Sequence, residues 1–312
     1  MSIQVITVTL SPSIDVTLLV DGLDTDKTNR VLGERRDVGG KGINVSRTVN
    51  AFGINNACLA VAGEDNRLEF ADFLKAVGLR FELLPIPGAV RENLTLRAGK
   101  QTIKLNRSGP ELSHMMTGAL MALILRWVRP GDIVVFAGSL PSHFEVQDFV
   151  EIVLATKQAG ARVALDCDVL RPEHLQLIRP WLIKPNIHEL RLLCPQQGEV
   201  EAWVAASARQ LSQAGVENAL ISLGGDGMYA RIGERAFRIT VPAVEVKSTV
   251  GAGDSALAGF AVGFIQQRPA EDCCRLAAAC GTASVMQEGT KLATREDALR
   301  LFEQVEVREV TA

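Results

Sequence analysis

The stretch "STVGAGDSALAGF", Ser248 to Phe260, sets an aspartate directly behind a Gly-Ala-Gly turn and ahead of an apolar run. The run reads as a buried helix opening at Asp254. A carboxylate there is stabilised by free backbone N–H groups and the helix dipole, so Asp254 is either a cap or a base sharing the helix mouth with a bound anion. A second glycine-rich element, "DVGGKGINVSR" from Asp37 to Arg47, combines Gly39 and Gly40, which permit close backbone approach, with the cation of Lys41. Asn44 falls in the first helical turn after it and points back to the same mouth. In "IKPNIHEL", Asn186 and Glu189 stand three apart. That spacing suits either a capping box or an Mg²⁺ ion held largely through its own water. "ISLGGDGMY" ends a strand in Gly224, Gly225 and Gly227, as a hairpin turn or a phosphate approach. Together these motifs supply what phosphoryl transfer needs: anion donors, a metal site and a base for a hydroxyl nucleophile.

Other chemistries are excluded. The chain lacks GxxxxGK[ST], HExxH and GxSxG, and "GAGDSA" is missing the third glycine of a dinucleotide fingerprint. His114, His143, His174 and His188 are scattered and read as structural or surface residues. A net charge of -3 gives no electrostatic case for nucleic acid. The apolar run after Asp254 breaks at Gln266, too early for a membrane span. Six cysteines without a CxxC, and an opening "MSIQVITVTL" without a leader pattern, lead us to expect reduced thiols in a cytoplasm.

The elements that must position these residues alternate. "QVITVTL", "ACLAVAG", "DIVVFAG", "RVALDCD", "WLIKPN" and "NALISLG" read as buried strands of four to seven residues. Helical patterns lie between them at 42–52, 68–77, 114–127, 145–159 and 202–214. Such alternation predicts a mainly parallel α/β sheet with ligands beyond the carboxyl ends of its strands. Gly138-Ser139, Asp166, Lys184-Pro185-Asn186 and Gly224-Gly225 all fall at such ends. Two segments, about 10–36 and 87–108, break the alternation with short polar-turned strands. They predict a small second sheet acting as a lid over a cleft, or as an oligomer surface. Residues 1–312 read as a single domain that carries both segments.

"GGKGINVSR" and "STVGAGDSALAGF" resemble the two signatures of the ribokinase-like (PfkB) carbohydrate kinases, and "TLSPSID", "GSLPS", "IKPNIHEL" and "SLGGDG" match in the same order, from Val5 to about Thr290. "TNRV", "RENLT" and "RSGPELS" resemble the branch acting on phosphorylated ketohexoses, the 1-phosphofructokinases and tagatose-6-phosphate kinases. The resemblance implies a three-layer α/β/α sandwich with a β lid that pairs two subunits, and a kinase using ATP and Mg²⁺ on a phosphorylated ketohexose. Asp254 would be the general base, and the N–H groups of Gly251, Ala252 and Gly253 the anion hole. Asp15, Gly39, Gly40, Lys41 and Asn44 would bind the sugar, with Ser139 at its floor. Arg30, Arg91, Arg107 and Lys41 are its candidates for the sugar's existing phosphate. Lys184, Asn186, Ser222, Gly224, Gly227 and Thr249 would line the ATP side, and Asn186 with Glu189 would organise Mg²⁺. Gly289 and Lys291 fall where some relatives hold a monovalent cation, which adds K⁺ to the expected cofactors. Cys167-Asp168 replaces the family's usual Ser-Gly pair and brings a carboxylate toward the phosphate route. A sugar-phosphate sensor on the same fold is the non-catalytic alternative.

Overall fold

The computed structural model describes residues 4–99 and 101–311; residue 100, within the second expected lid segment, lies outside them. In chain order the strands are β1 (Val5–Thr9), β2 (Ser13–Val20), β3 (Val31–Gly39), β4 (Asn56–Gly63), β5 (Phe81–Ile86), β6 (Arg91–Ala98), β7 (Gln101–Asn106), β8 (Ile133–Ala137), β9 (Arg162–Asp166), β10 (Leu182–Ile183), β11 (Asn218–Ser222), β12 (Met228–Ile232), β13 (Arg235–Thr240) and β14 (Glu306–Val310). The helices are α1 (Lys41–Ala51), α2 (Arg67–Ala76), α3 (Thr117–Trp127), α4 (Val146–Gln158), α5 (Pro172–Ile178), α6 (Ile187–Leu193), α7 (Val200–Gln213), α8 (Ala252–Ile265), α9 (Ala270–Val285) and α10 (Arg295–Phe302).

One large sheet runs in the order β14-β13-β12-β11-β10-β9-β8-β1-β4-β5. It is parallel from β11 to β5 and antiparallel from β11 to β14. The central strands are buried end to end, as VITVT of β1 and IVVFA of β8 show, because helices cover both faces. One apolar layer packs Phe136, Phe149 and Trp203 on one face, and another packs Phe237, Phe260 and the alanine-rich α8 and α9 on the other. This is the expected α/β layering.

The second sheet, β3-β2-β6-β7, draws its strands from the two segments that broke the alternation. Its register sets Ser13 beside both Gly39 and Arg91, and Asp15 beside both Asp37 and Asn93. Period-two geometry therefore puts Ser13, Asp15, Gly39, Arg91 and Asn93 on one face.

Several elements depart from the sequence reading. β10 shrinks to two residues, since Pro185 has no N–H and Asn186 already caps α6. The 114–127 pattern divides into a 3-10 turn at His114–Met116 and α3. β5 carries Pro85, and β12 to β14 are interrupted by charged residues (Arg231; Arg235 and Arg238; Glu306, Arg308 and Glu309), so none of them showed the long continuous apolar run used to find strands. The helix expected to open at Asp254 opens at Ala252, capped by Gly251, which makes Asp254 the third residue of its first turn.

Candidate active site

Two helix mouths meet in one place. Gly40 caps α1 with φ 126° and Gly251 caps α8 with φ 75°, backbone conformations that only glycine adopts without strain. The helices pack together, and Thr48 Oγ1 lies 3.3 Å from Ser255 Oγ between them. One turn above, Asn44 Nδ2 donates to Asp254 Oδ2 at 2.9 Å. Asp254 is only 6% exposed. The bond to Asn44 fixes its plane and leaves Oδ1 for another donor. Gly251 has a packing reason as well: a Cβ there would run into Leu292. At Gly253 a Cβ would lie 2.8 Å from Lys184 Nζ, so glycine lets that ammonium reach the mouth of α8.

Between the mouths stands Asp166, at the end of β9 and almost fully buried. Lys41 Nζ contacts its Oδ1 at 3.2 Å, and Lys184 Nζ its Oδ2 at 3.4 Å. Lys41 also lies 3.7 Å from Glu189 Oε1. Burial pulls the Lys41 pKa down, but the charges of Asp166 and Glu189 outweigh it and leave the lysine more basic than usual. Burial pushes Asp254 up to about 6, and the Asp166 charge adds to that, against the opposing effects of Asn44, Lys184 and Lys41. A carboxylate at that value is poised to take a proton near neutral pH.

Asn186 caps α6, its Oδ1 accepting from the N–H groups of His188 (2.8 Å) and Glu189 (3.0 Å). Glu189 Oε2 accepts from the Asn186 N–H at 2.9 Å, completing a capping box. The box aims Glu189 Oε1 at Lys41 and the cleft. Ser222, bridged to Asn186, completes that wall.

On the second sheet, Asp15 Oδ1 accepts from Ser13 Oγ (2.9 Å) and Asn93 Nδ2 (3.0 Å). Arg91 Nη2 donates to the Ser11 carbonyl at 3.2 Å, while its Nε is buried with no partner among the described residues. Burial holds Arg91 below the ordinary arginine range, against the Asp15 charge. An under-satisfied arginine facing a cleft is suited to an anion.

These groups line a cleft of about 410 Å³. Of the residues singled out in the sequence, Asp15, Gly40, Lys41, Asn44, Arg91, Lys184, Asn186, Glu189, Ser222, Thr249, Gly251, Gly253 and Asp254 line it. Gly39 stands just behind, where a Cβ would meet the Asp15 carboxyl and Ser13 Oγ. Ser139 follows Gly138 at the end of β8, half-buried outside the lining, and Ala252 lies within the α8 mouth. Arg30 and Arg107 do not join the cleft: Arg30 is exposed ahead of β3, and Arg107 pairs with Glu92 at 3.5 Å. Gly224 and Gly227 make the hairpin turn between β11 and β12, where Gly227 packs on the Ile239 carbonyl. No histidine is among the lining residues.

The cleft adds Ser13, Asn93, Asp166 and Val250, to which the sequence reading gave no role. Alternation along β2 and β6 carried the signal for two of them, since Ser13 shares a face with Asp15 and Asn93 with Arg91. Asp166 was marked only by its place at a strand end. Val250 stands between Thr249 and Gly251 in the lining and carried no side-chain signal. Asp168 is not among the lining residues of the cleft. It lines an adjoining cavity of about 30 Å³ with Cys167, Leu170 and Leu175, and that cavity shares Asp166, Lys184 and Glu189 with the cleft.

A family model described as pfkB family carbohydrate kinase matches residues 4–297. The chain is similar to a 1-phosphofructokinase of Bacillus subtilis, 32% identical over 97% of this chain and 99% of that one. It is also similar to a tagatose-6-phosphate kinase of Staphylococcus epidermidis, 27% identical over 98% of this chain and 100% of that one. Among solved structures, a candidate phosphofructokinase from Staphylococcus aureus superposes with a TM-score of 0.86 at 29% identity, over 99% of this chain and 100% of that one.

Proposed function

Since the chain belongs to the pfkB family of carbohydrate kinases and is a sugar-phosphate kinase, we propose that it transfers the γ-phosphoryl group of ATP to a ketohexose phosphate, as a 1-phosphofructokinase giving fructose 1,6-bisphosphate. The observation that carries this reading is the buried Asp254 in the first turn of α8, held by Asn44 and facing a cleft whose opposite wall is Asp15 and Arg91. Asp15, Asn44, Lys41, Gly39 and Gly40 hold the sugar over Ser139, and Arg91 takes its existing phosphate. Arg30 and Arg107 reach that phosphate only from the rim or from a neighbouring subunit. Lys184, Ser222, Thr249 and the Gly224–Gly227 turn serve the nucleotide.

In the reaction, the sugar hydroxyl gives its proton to Asp254 Oδ1 while its oxygen bonds to the γ-phosphorus. The bond from that phosphorus to the β,γ-bridging oxygen breaks, and ADP leaves. The N–H groups of Gly251, Ala252 and Gly253 meet the charge on the transferring oxygens, and Lys41 and Lys184 flank them.

The family implies a divalent metal, and the donors fit one. Glu189 and Asp166 present carboxylate oxygens to the cleft, Asn186 supports Glu189, and neither thiol nor imidazole is among the lining residues. That set suits Mg²⁺, which keeps several waters, and bound there it would neutralise phosphate charge. K⁺ is proposed at the Gly289–Lys291 turn; equal rates in K⁺ and tetramethylammonium buffers would remove it. The second sheet exposes Leu19, Val31, Leu32, Ile103 and Leu105. These residues support a homodimer packed through that sheet, checked by sedimentation. Free cysteines, five of them buried, support a cytoplasmic setting.

A tagatose 6-phosphate kinase is the second reading, favoured by the full-length match to the Staphylococcus epidermidis enzyme. The test is ADP release with Mg-ATP over fructose 1-phosphate, fructose 6-phosphate, tagatose 6-phosphate, fructose and ribose. A clear kcat/KM lead for fructose 1-phosphate is the expected result, and a lead for tagatose 6-phosphate installs the second reading. Binding without turnover would turn the protein into a sensor.

A further inference from the structure

The loop 286–292 touches three separate parts of the molecule. From the second sheet, Arg35 of β3 donates Nη2 to Thr290 Oγ1 at 3.3 Å. Its guanidinium lies where a Cβ on Gly289 would stand, and Gly289 has φ 64°. Asp37 holds that guanidinium in place, accepting from Arg35 Nε at 2.7 Å. From the main body, Arg47 of α1 donates Nη1 to the Thr290 carbonyl at 3.4 Å. Arg47 is half-buried, and among the described residues it makes no ion pair within 4 Å. Toward the cleft, Ser248 Oγ donates to the Gly289 carbonyl at 2.8 Å and accepts from the Val250 N–H at 3.3 Å. Leu292 fills the space beside Gly251, the residue that caps α8 in a left-handed conformation.

We propose that Arg35 and Arg47 are positioning residues for phosphoryl transfer: by gripping Thr290 from the second sheet and from α1, they hold the 286–292 loop against Ser248 and Gly251, and so fix the turn whose N–H groups face the cleft. The proposal rests on the kinase reading for its consequence, but its structural part stands apart from it. Neither arginine lines the cleft, so neither is in reach of the reacting atoms. Both act through the loop. The arrangement is economical in length: one residue, Thr290, offers its side chain to the sheet and its carbonyl to the helix. It also makes the position of β3 felt at the α8 mouth, because a shift of β3 would pull on Thr290 and on the Gly289 carbonyl that Ser248 grips. β3 carries Asp37 and Gly39 beside Asp15 and Ser13 in the sugar half of the cleft, so the two halves share one mechanical path.

The test uses the full-length protein without ligand. Amide hydrogen exchange is followed in peptides covering 31–39, 247–254 and 286–292 for the wild type, Arg35→Ala, Arg35→Lys and Thr290→Ala. Arg35 is surface-exposed and Thr290 half-buried in a loop, so these variants keep the core intact. We expect faster exchange at 247–254, by about tenfold, in Arg35→Ala and Thr290→Ala, with partial recovery in Arg35→Lys. Exchange that speeds up at 286–292 but stays at the wild-type rate in 247–254 would overturn the coupling. In steady-state kinetics the same variants lower kcat by about 10- to 100-fold, the cost of a misplaced reacting geometry, while sugar-phosphate KM stays within about twofold. A change confined to KM would make Arg35 a substrate contact and also overturn the proposal. Failure of the kinase reading itself would show as a wild type without turnover, and the exchange result would be unaffected.

Discussion

The mouths of α1 and α8 are built alike and charged oppositely. Each opens on a positive-φ glycine, Gly40 or Gly251, and both glycines line the same cleft. α1 then carries Lys41 at its first position, and its first turn has no acidic residue. A cation is unfavourable at a helix N-terminus. Lys41 stays there because Asp166 and Glu189 lie within 4 Å and hold it charged. α8 carries Asp254, the sign the dipole prefers, yet burial and Asp166 drive its pKa up to about 6. Each mouth therefore breaks a local rule, and each breach serves the other side. The lysine is kept charged for an anion, and the carboxylate is kept basic for a proton. Conflicts of this kind concentrate where a protein works on a ligand.

Removing the carboxylate should have the largest effect. Asp254→Asn keeps the shape and the neighbourhood of Asn44 but cannot accept a proton. We expect kcat to fall by ~10²–10⁴-fold with little change in either KM, measured as initial rates under saturating Mg-ATP. Near-normal turnover would remove Asp254 from the chemistry. The same variant should raise the melting temperature of the ligand-free protein by a few degrees at pH 7. A buried carboxylate whose folded pKa lies above its unfolded 3.8 costs stability once ionised. That cost is absent below about pH 4, grows as pH rises toward 6 and is complete above it.

The sugar half gives the next effect. Arg91→Ala removes an arginine whose Nε has no partner among the described residues. Losing a charge-assisted contact costs about 1.5–3 kcal/mol, so the sugar-phosphate KM should rise by about 10- to 100-fold, with the ATP KM unmoved. A change in the ATP KM alone would reverse the orientation assigned to the cleft.

The difference between the mouths can be sharpened by pH. The base must be ionised, so kcat should decline as pH falls through about 6. In Lys41→Met one of the cations opposing the Asp254 shift is gone, and the acid limb should move to higher pH. A limb that stays in place would show that Lys41 acts on the substrate and not on the base.

The α8 mouth was legible from residue types alone, because glycine-aspartate-apolar is a pattern with few physical causes. Its partner interactions were not. Asn44 and Asp254 are 210 residues apart, and only the packing of α1 on α8 brings them to 2.9 Å. The parallel core strands announced themselves as apolar runs, while β12 to β14 are short and broken by charged residues and were lost among turns. The Asn186–Glu189 spacing was compatible with a cap or a metal. The structure uses one Glu189 oxygen for the cap and turns the other to Lys41, so one spacing serves two ends. At Gly227 the glycine also has a packing reason that the sequence could not show, the Ile239 carbonyl that a Cβ would strike.

The smallest expected effect concerns the pair that departs from the family, Cys167-Asp168. Read along the sequence, a carboxylate one strand-end away from Lys41 threatens the binding of phosphate. In space, Asp168 is exposed and lines the small adjoining cavity with Leu170 and Leu175, outside the lining of the cleft itself. Asp166, which both spaces share, is already paired with Lys41 and Lys184, and Asp168 itself makes no ion pair within 4 Å among the described residues. An exposed charge outside the contact distance is largely screened at physiological salt. Asp168→Ser should therefore leave kcat and both KM values within about twofold at 0.15 M ionic strength, and lower the ATP KM only slightly as salt is removed. A tenfold gain in phosphate affinity on neutralising Asp168 would mean that its field reaches the mouths undamped, and that the cancellation assigned to the two lysines is incomplete.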